Sequence, residues 1–195
     1  MPEYLRKQKN RLERARVALN MKNTEKKDVN ARQYVENLNK SWGAGVSTLC
    51  LIYNATGDTV RFVTSRDWQG HSGPSPPPQL IANGQWGGFL HVNNSRYGHI
   101  ESSAAVVYRG KNENGIYCDW MLAWSNPMDR TFGNYKAYTE IGEANHFGDV
   151  WGTVSNLLTN SGVHRSDIRN GCLSTVITGC DTSPIFEGIL TLENA

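Results

Sequence analysis

The sequence lacks every compact signature of catalysis. It has no Gly-x-Ser-x-Gly elbow and no cysteine set in a local protease motif. Its glycines at Gly84, Gly87 and Gly88 have neither the spacing of a phosphate loop nor a following helix. Nucleophilic chemistry needs a Ser or Cys beside a base and an oxyanion site, and no local motif supplies that set. Asp119, Glu140 and Glu143 are available acids, but nothing in the sequence pairs them across a cleft as glycoside hydrolysis requires. His91, His99 and Glu101 could meet on neighbouring strands around a metal, yet tight His-x-His or His-x-x-x-His spacing is missing. The expectation is therefore a protein without enzymatic activity, catalytic residues, cofactor or metal.

Two further absences bear on location. No window approaches the roughly 18 consecutive apolar residues of a membrane-spanning helix. The chain begins with basic residues, but no apolar stretch follows them as in a secretory signal. The expected location is the cytoplasm or nucleus, where thiols stay reduced. The four cysteines, Cys50, Cys118, Cys172 and Cys180, show no Cys-x-x-Cys spacing. Cys50 and Cys118 sit within apolar strand-like runs and read as buried thiols. Cys172 and Cys180 flank LSTVITG and are the pair that could face each other. The sequons at Asn54 and Asn93 are expected to stay unused in such a compartment.

What is present is unevenly distributed. Residues 1–42 hold eleven Lys/Arg against five Asp/Glu, whereas residues 43–195 hold nine against thirteen. The chain reads as a basic helical extension, 1–42, on a mildly acidic β-sandwich domain, 43–195. Residues 3–20 have few β-branched residues and no Gly or Pro, with Leu5, Leu12 and Leu19 at seven-residue spacing, so a helix with a narrow apolar stripe is predicted. A second helix is predicted from Thr24, as N-cap, to about Trp42, ended by Gly43 and Gly45. Arg6, Lys7, Arg11 and Arg14 offer a surface for an anionic partner. The same arm could instead dock on its own acidic body, or self-associate through its leucines. Nucleic-acid binding ranks below these readings, because no recognised nucleic-acid module accompanies the charge.

Beyond Val46 the pattern changes to short apolar or alternating runs between turns. Residues 49–53, 59–64, 85–92, 103–109, 117–125, 137–141, 173–178 and 185–192 read as strands. Gly87-Gly88 inside one of them signals a bulge or the close approach of another backbone. Asp149 to Gly162 carries apolar residues at helical spacing, so one short helix is predicted near 149–161. The fold class is mainly β: a single β-sandwich of about seven to eight strands with an N-terminal helical extension. Its core should include Leu49, Leu51, Tyr53, Phe62, Phe89, Val106, Trp120, Leu122 and Ile189. Trp68, His71, Trp86 and Tyr97 lie in or near long loops. Such aromatics stack on sugars or settle at membrane interfaces, because each joins an apolar body to a polar handle. Alternatively, Trp68 and Trp86 close the ends of the core.

The runs CLIYNATGDTVRFVTSRDWQGH, IANGQWGGFLHV, AAVVYR, CDWMLAWS and YTEI, with NARQYVENL upstream, resemble the 23 kDa jasmonate-induced proteins of plants. The resemblance covers roughly Asn30 to Glu140. It implies a jasmonate- or stress-responsive plant protein and no catalytic activity, and it brings no binding residues with it. A weaker, fold-level likeness is to β-sandwiches of the aegerolysin and actinoporin type, some of which bind membrane lipids. Together these readings lead to an expected non-enzymatic protein that binds a lipid headgroup or a glycan through aromatic loops. The alternative is a self-assembling, partner-binding or storage protein acting through its N-terminal helices.

Overall fold

A computed structural model describes residues 10–43, 45–93, 100–128 and 134–195. The described chain is mainly β, with eleven strands in two facing sheets and three α-helices. All eight expected strands are present, as β1 (Val46–Ala55), β2 (Val60–Gln69), β5 (Gln85–Asn93), β6 (Glu101–Lys111), β7 (Tyr117–Pro127), β8 (Lys136–Glu143), β10 (Cys172–Thr178) and β11 (Ile185–Leu192). The additions are two short bridging strands, β3 (His71–Ser72) and β4 (Leu80–Ile81), and β9 (His164–Arg169).

One sheet runs β3-β5-β1-β11-β10-β9, and the other runs β4-β2-β6-β7-β8. β1 pairs in parallel with β11, from Leu49 opposite Ile185 to Ala55 opposite Thr191. The first and last strands are thus neighbours in the middle of one sheet. The two-residue period of a strand sends alternate side chains to opposite faces. Cys50 and Ile52 of β1 point into the sandwich, where they join Phe89, Val106, Trp120, Leu122, Trp124, Phe186 and Leu190. Leu49 and Leu51 point outward, but they too are buried, against Val35, Leu90 and Val92.

The helices cover that outward face. α1 (Arg11–Asn20) starts at a reciprocal capping box: the Asn10 side chain accepts from the Glu13 amide at 2.8 Å, and Glu13 accepts from the Asn10 amide at 3.0 Å. Asn10 is extended and caps α1 ahead of Arg11, and the earlier part of the predicted helix, residues 3–9, lies outside the described residues. α2 (Lys27–Trp42) does not begin with Thr24 as its cap. Glu25 and Lys26 take left-handed backbone conformations there, and the Thr24 hydroxyl bonds back to the Met21 carbonyl at 2.8 Å. α2 lies across β5 and β1, and Gly88 permits the contact: a Cβ there would lie 3.0 Å from Tyr34 Cδ1 and Val35 Cγ1. The expected bulge or backbone approach at Gly87-Gly88 is corrected: the β1–β5 register runs through without a bulge, and side chains crowd both glycines, Ile81 and Pro78 at Gly87 and Tyr34 and Val35 at Gly88. α3 (Trp151–Thr159) covers the outer face of the second sheet, where Val154 and Leu158 meet Met121, Ala123 and Tyr138.

Of the expected core, Leu49, Leu51, Tyr53, Phe89, Val106, Trp120 and Leu122 are buried. Phe62 and Ile189 pack at its margins, partly exposed. Cys50, Cys118 and Cys172 are all buried. The suggested facing of Cys172 and Cys180 is corrected: β10 separates them, with Cys172 at its start and Cys180 exposed beyond its end.

Candidate functional site

The candidate site is the sandwich end at which β2 passes to β3, β5 and β7 finish, and β6 and β8 start. Beneath it a chain of polar side chains crosses the interior. Asp67 Oδ1 lies 3.3 Å from Nε2 of the buried His91, and His91 Nδ1 lies 2.8 Å from the Ser102 hydroxyl. Ser102 in turn meets the Thr48 hydroxyl at 2.6 Å, Asn126 donates to Thr48 at 2.7 Å, and Thr178 donates to Asn126 at 3.2 Å. One self-consistent assignment runs from Thr48 to Ser102 to His91 Nδ1, which leaves the ring proton on Nε2 facing the Asp67 carboxylate.

Ser, His and Asp in contact suggest a hydrolytic trio, but the geometry argues otherwise. Ser102 is completely buried and its hydroxyl is held by Thr48, so no substrate carbonyl can reach it. The chain pairs the buried hydroxyl and amide groups of Thr48, Ser102, Asn126 and Thr178, leaves His91 Nε2 facing Asp67 without a hydrogen bond, and ties β1, β2, β5, β6, β7 and β10 together under the end of the sandwich. None of its members adjoins another in sequence, and only His91 drew attention there, as a metal candidate. Among the described residues, no three His, Cys, Asp or Glu side chains converge as a metal site would need.

Trp68 and His71 both lie at this end, on opposite faces. Trp68 turns outward over the second sheet and meets Trp151 of α3 edge-on, with centroids 6.4 Å apart. It borders a cleft of about 470 Å³ with Glu101, Lys136 and Leu158. His71 is exposed on β3, its ring 6.1 Å from that of Trp42 at the end of α2. Trp42 was read only as a helix-end residue, because its side chain reaches His71 through tertiary packing that no local pattern encodes. Tyr97 falls outside the described residues.

Trp86 stands apart from them. It packs on Tyr53 at 4.9 Å under the α1–α2 corner, with the Lys22 ammonium 5.6 Å above its ring. There it lines a second groove of about 590 Å³, with Tyr34, Pro78 and Leu80. The grouping of Trp86 with the other aromatics is thereby corrected, because β5 carries it away from them.

The basic candidates are also redistributed. Arg11 donates to Asp58 at 2.8 Å and to the Asn112 carbonyl at 2.8 Å. Arg14 donates to Asp58 at 2.6 Å and to the Gly57 carbonyl at 2.7 Å. Burial pushes the Asp58 carboxyl up, but the two guanidinium groups outweigh it and hold the group below its ordinary value. These two arginines fasten α1 to the acidic body rather than facing an anionic partner. Arg6 and Lys7 lie outside the described residues.

The family model for Nakanori-like proteins matches residues 1–193, helices and sandwich together. The chain belongs to the Nakanori-like family. The 23 kDa jasmonate-induced protein of Hordeum vulgare is 40% identical over 179 residues, covering 90% of this chain and 83% of the relative. A jasmonate-induced protein homologue of Atriplex canescens is 29% identical over 140 residues, covering 70% of this chain and 74% of that one. The crystal structure of the lipid-binding protein Nakanori superposes with a TM-score of 0.85 at 26% identity, covering 97% of this chain and 92% of that one. The resemblance read from the strand motifs is confirmed, and the Nakanori-like match extends it to α1 and to the C-terminal strands.

Proposed function

We propose that this chain is a non-enzymatic, stress-responsive plant protein that binds a membrane lipid through the polar headgroup. The observation that carries the reading is the likeness, over nearly the full length of both chains, to a structure described as a lipid-binding protein. The binding end is the one bearing Trp68 and His71. There an indole over a cleft and an exposed imidazole flank the sandwich, the combination of apolar body and polar handle that suits a membrane interface. The relatives' names support the stress-responsive part of the reading. Among the described residues no helix is long and apolar enough to cross a membrane, so attachment through a headgroup suits the helices that are described.

Co-sedimentation with vesicles of neutral, anionic and glycosylated sphingolipid composition, at low and high salt, tests this. Salt-resistant binding that His71→Ala and Trp68→Phe each weaken about tenfold, with Trp86→Phe unchanged, is the expected result. Binding that needs only the glycosylated lipid, and that free sugar competes away, would replace the headgroup by a glycan. Full binding by the His71 and Trp68 variants would remove the site, and failure of the wild type on every composition would remove the function.

A further inference from the structure

At the opposite end of the sandwich, the β6–β7 turn, the β9–β10 turn, the end of β8 and the chain beyond β11 surround a cavity of about 670 Å³. That size falls within the roughly 300–1,000 Å³ of small-ligand pockets. Glu113, Asn114, Glu143, Asn170 and Asn194 bring two carboxylates and three amides to its lining, and Tyr117 adds an aromatic ring. Among the described residues, no hydrogen bond or ion pair within the chain takes up any of those five polar side chains.

The frame around the cavity is braced. Asn112 is only 4% exposed; its side chain accepts from the Ile116 amide at 2.9 Å and donates to the Asn170 carbonyl at 2.9 Å, so one buried amide joins turns of the two sheets. Its own carbonyl accepts from Arg11 of α1 at 2.8 Å and from the Gly115 amide at 3.0 Å. Asn170 and Gly171, at φ of 55° and 73°, close the β9–β10 hairpin in two residues between the paired Arg169 and Cys172, which fixes Asn170 at its tip. The Glu193 amide donates to the Gly171 carbonyl at 3.0 Å and anchors the segment that carries Asn194. A lining held in place before a ligand arrives loses little freedom on binding.

We propose that this cavity is a carbohydrate site, taking a neutral pyranose of a soluble oligosaccharide. A sugar hydroxyl both donates and accepts, carboxylates accept, and amides do both, so the free polar groups match neighbouring hydroxyls. The C–H face of a pyranose packs on an exposed aromatic ring, which the half-exposed Tyr117 supplies. The Lys111 ammonium lies 4.8 Å over that ring without lining the cavity and steadies it. Two carboxylates oppose an anion such as a phosphate or a uronic acid. Trp68 and His71 lie at the other end, so this site adds a second class of ligand and does not rest on the lipid reading.

The test titrates isotope-labelled full-length protein with cellobiose, maltose, lactose and mannobiose, each to about 20 mM, and follows the backbone amides by nuclear magnetic resonance. At least one disaccharide should give saturable shifts at residues 112–117, 143–144, 170–171 and 194, and leave Trp68 and His71 unmoved. Glu143→Gln, Asn114→Ala and Tyr117→Ala should each weaken that sugar about tenfold. All three side chains are exposed, so each variant should keep the wild-type melting midpoint. Trp68→Phe should bind the sugar as wild type does, even where it loses vesicles, which separates this site from the lipid reading. Silence of these amides toward all four sugars would overturn the proposal, as would shifts that the three variants leave intact. Saturation by spermidine or calcium chloride in place of the sugars would overturn it in favour of a cation site, and loss of the sugar on Trp68→Phe would move it to the other end.

Discussion

Asp119 is almost completely buried and accepts two hydrogen bonds from the Arg109 guanidinium, at 2.6 and 2.7 Å. It also accepts the Asn145 amide at 2.8 Å, while Asn145 sits at a φ of 71°. Removing the carboxylate strands a largely buried cation and an amide together, so Asp119→Ala should destabilise the fold by about 3–5 kcal/mol, read by urea denaturation. Losses below about 1 kcal/mol would mean that water already satisfies Arg109. Gly57 is constrained from two directions: its φ is 87°, and a Cβ would enter the Arg11 main chain. Gly57→Ala should therefore cost about 1–3 kcal/mol and accelerate hydrogen exchange in α1 more than in the central strands. The sequence announces a turn at Gly57, but not that a helix some forty residues earlier leans on it. Asn54 shows the same limit. It heads a sequon, yet its amide donates to the Asp58 and Ile81 carbonyls at 2.8 and 2.7 Å, so it is a buried turn brace. The polar chain from Asp67 to Thr178 was unreadable for this reason, since its members meet only once the sheets have formed.

At the scale of elements, strands were legible wherever burial wrote an apolar pattern. β7 alternates Cys118, Trp120, Leu122 and Trp124 toward the sandwich, with Met121 and Ala123 toward α3. β9, HRSDIR, was missed because its side chains are mostly exposed, and backbone pairing to β10 holds it in place. The helices were legible as helices, but their docking was not. α1 and α2 bury Tyr53, Leu90 and Val92 on the outer face of the first sheet, so a chain starting at Gly43 would expose that face. Such a truncation should aggregate or bind a hydrophobic dye, and a monomeric, dye-silent product would show that the sandwich stands alone. The α1 clasp on Asp58 carries a pH dependence whose sign is fixed. Its carboxyl is depressed in the folded state, so the contribution is complete above the ordinary value of 3.8 and fades as pH falls through the lower folded value. The side chain is 42% exposed, which limits the gain to about 1 kcal/mol. Asp58→Asn should be less stable than wild type by about that amount at neutral pH, and the gap should close once pH has fallen below the depressed folded value. A gap that persists there would assign the effect to packing instead.

For the molecule as a whole, the helices decide between binding alone and acting by assembly. The heptad stripe Leu5, Leu12 and Leu19 invited a seam between copies. Among the described residues the stripe is already occupied: Leu12 packs on the main core beside Ala15, and Leu19 packs with Ala18, Tyr53 and Ile189. Arg11 and Arg14 hold Asp58, while Lys22 and Arg32 hold Glu187 at 3.3 and 2.8 Å. Among the described residues, the arm is thus tied to the acidic body of its own chain. Those four cations, with Leu12 and Leu19, are engaged within the chain. Light scattering at tens of micromolar should return the monomer mass of 21.8 kDa, and the value should hold as salt rises. A concentration-dependent dimer would require a seam other than Leu12 and Leu19, because freeing them would uncover the main core at Leu12 and the Ala18–Tyr53 cluster at Leu19. A dimer whose helices gained hydrogen-exchange protection on association would contradict the intramolecular docking itself. A monomer would make the proposed vesicle binding independent of protein concentration except by mass action.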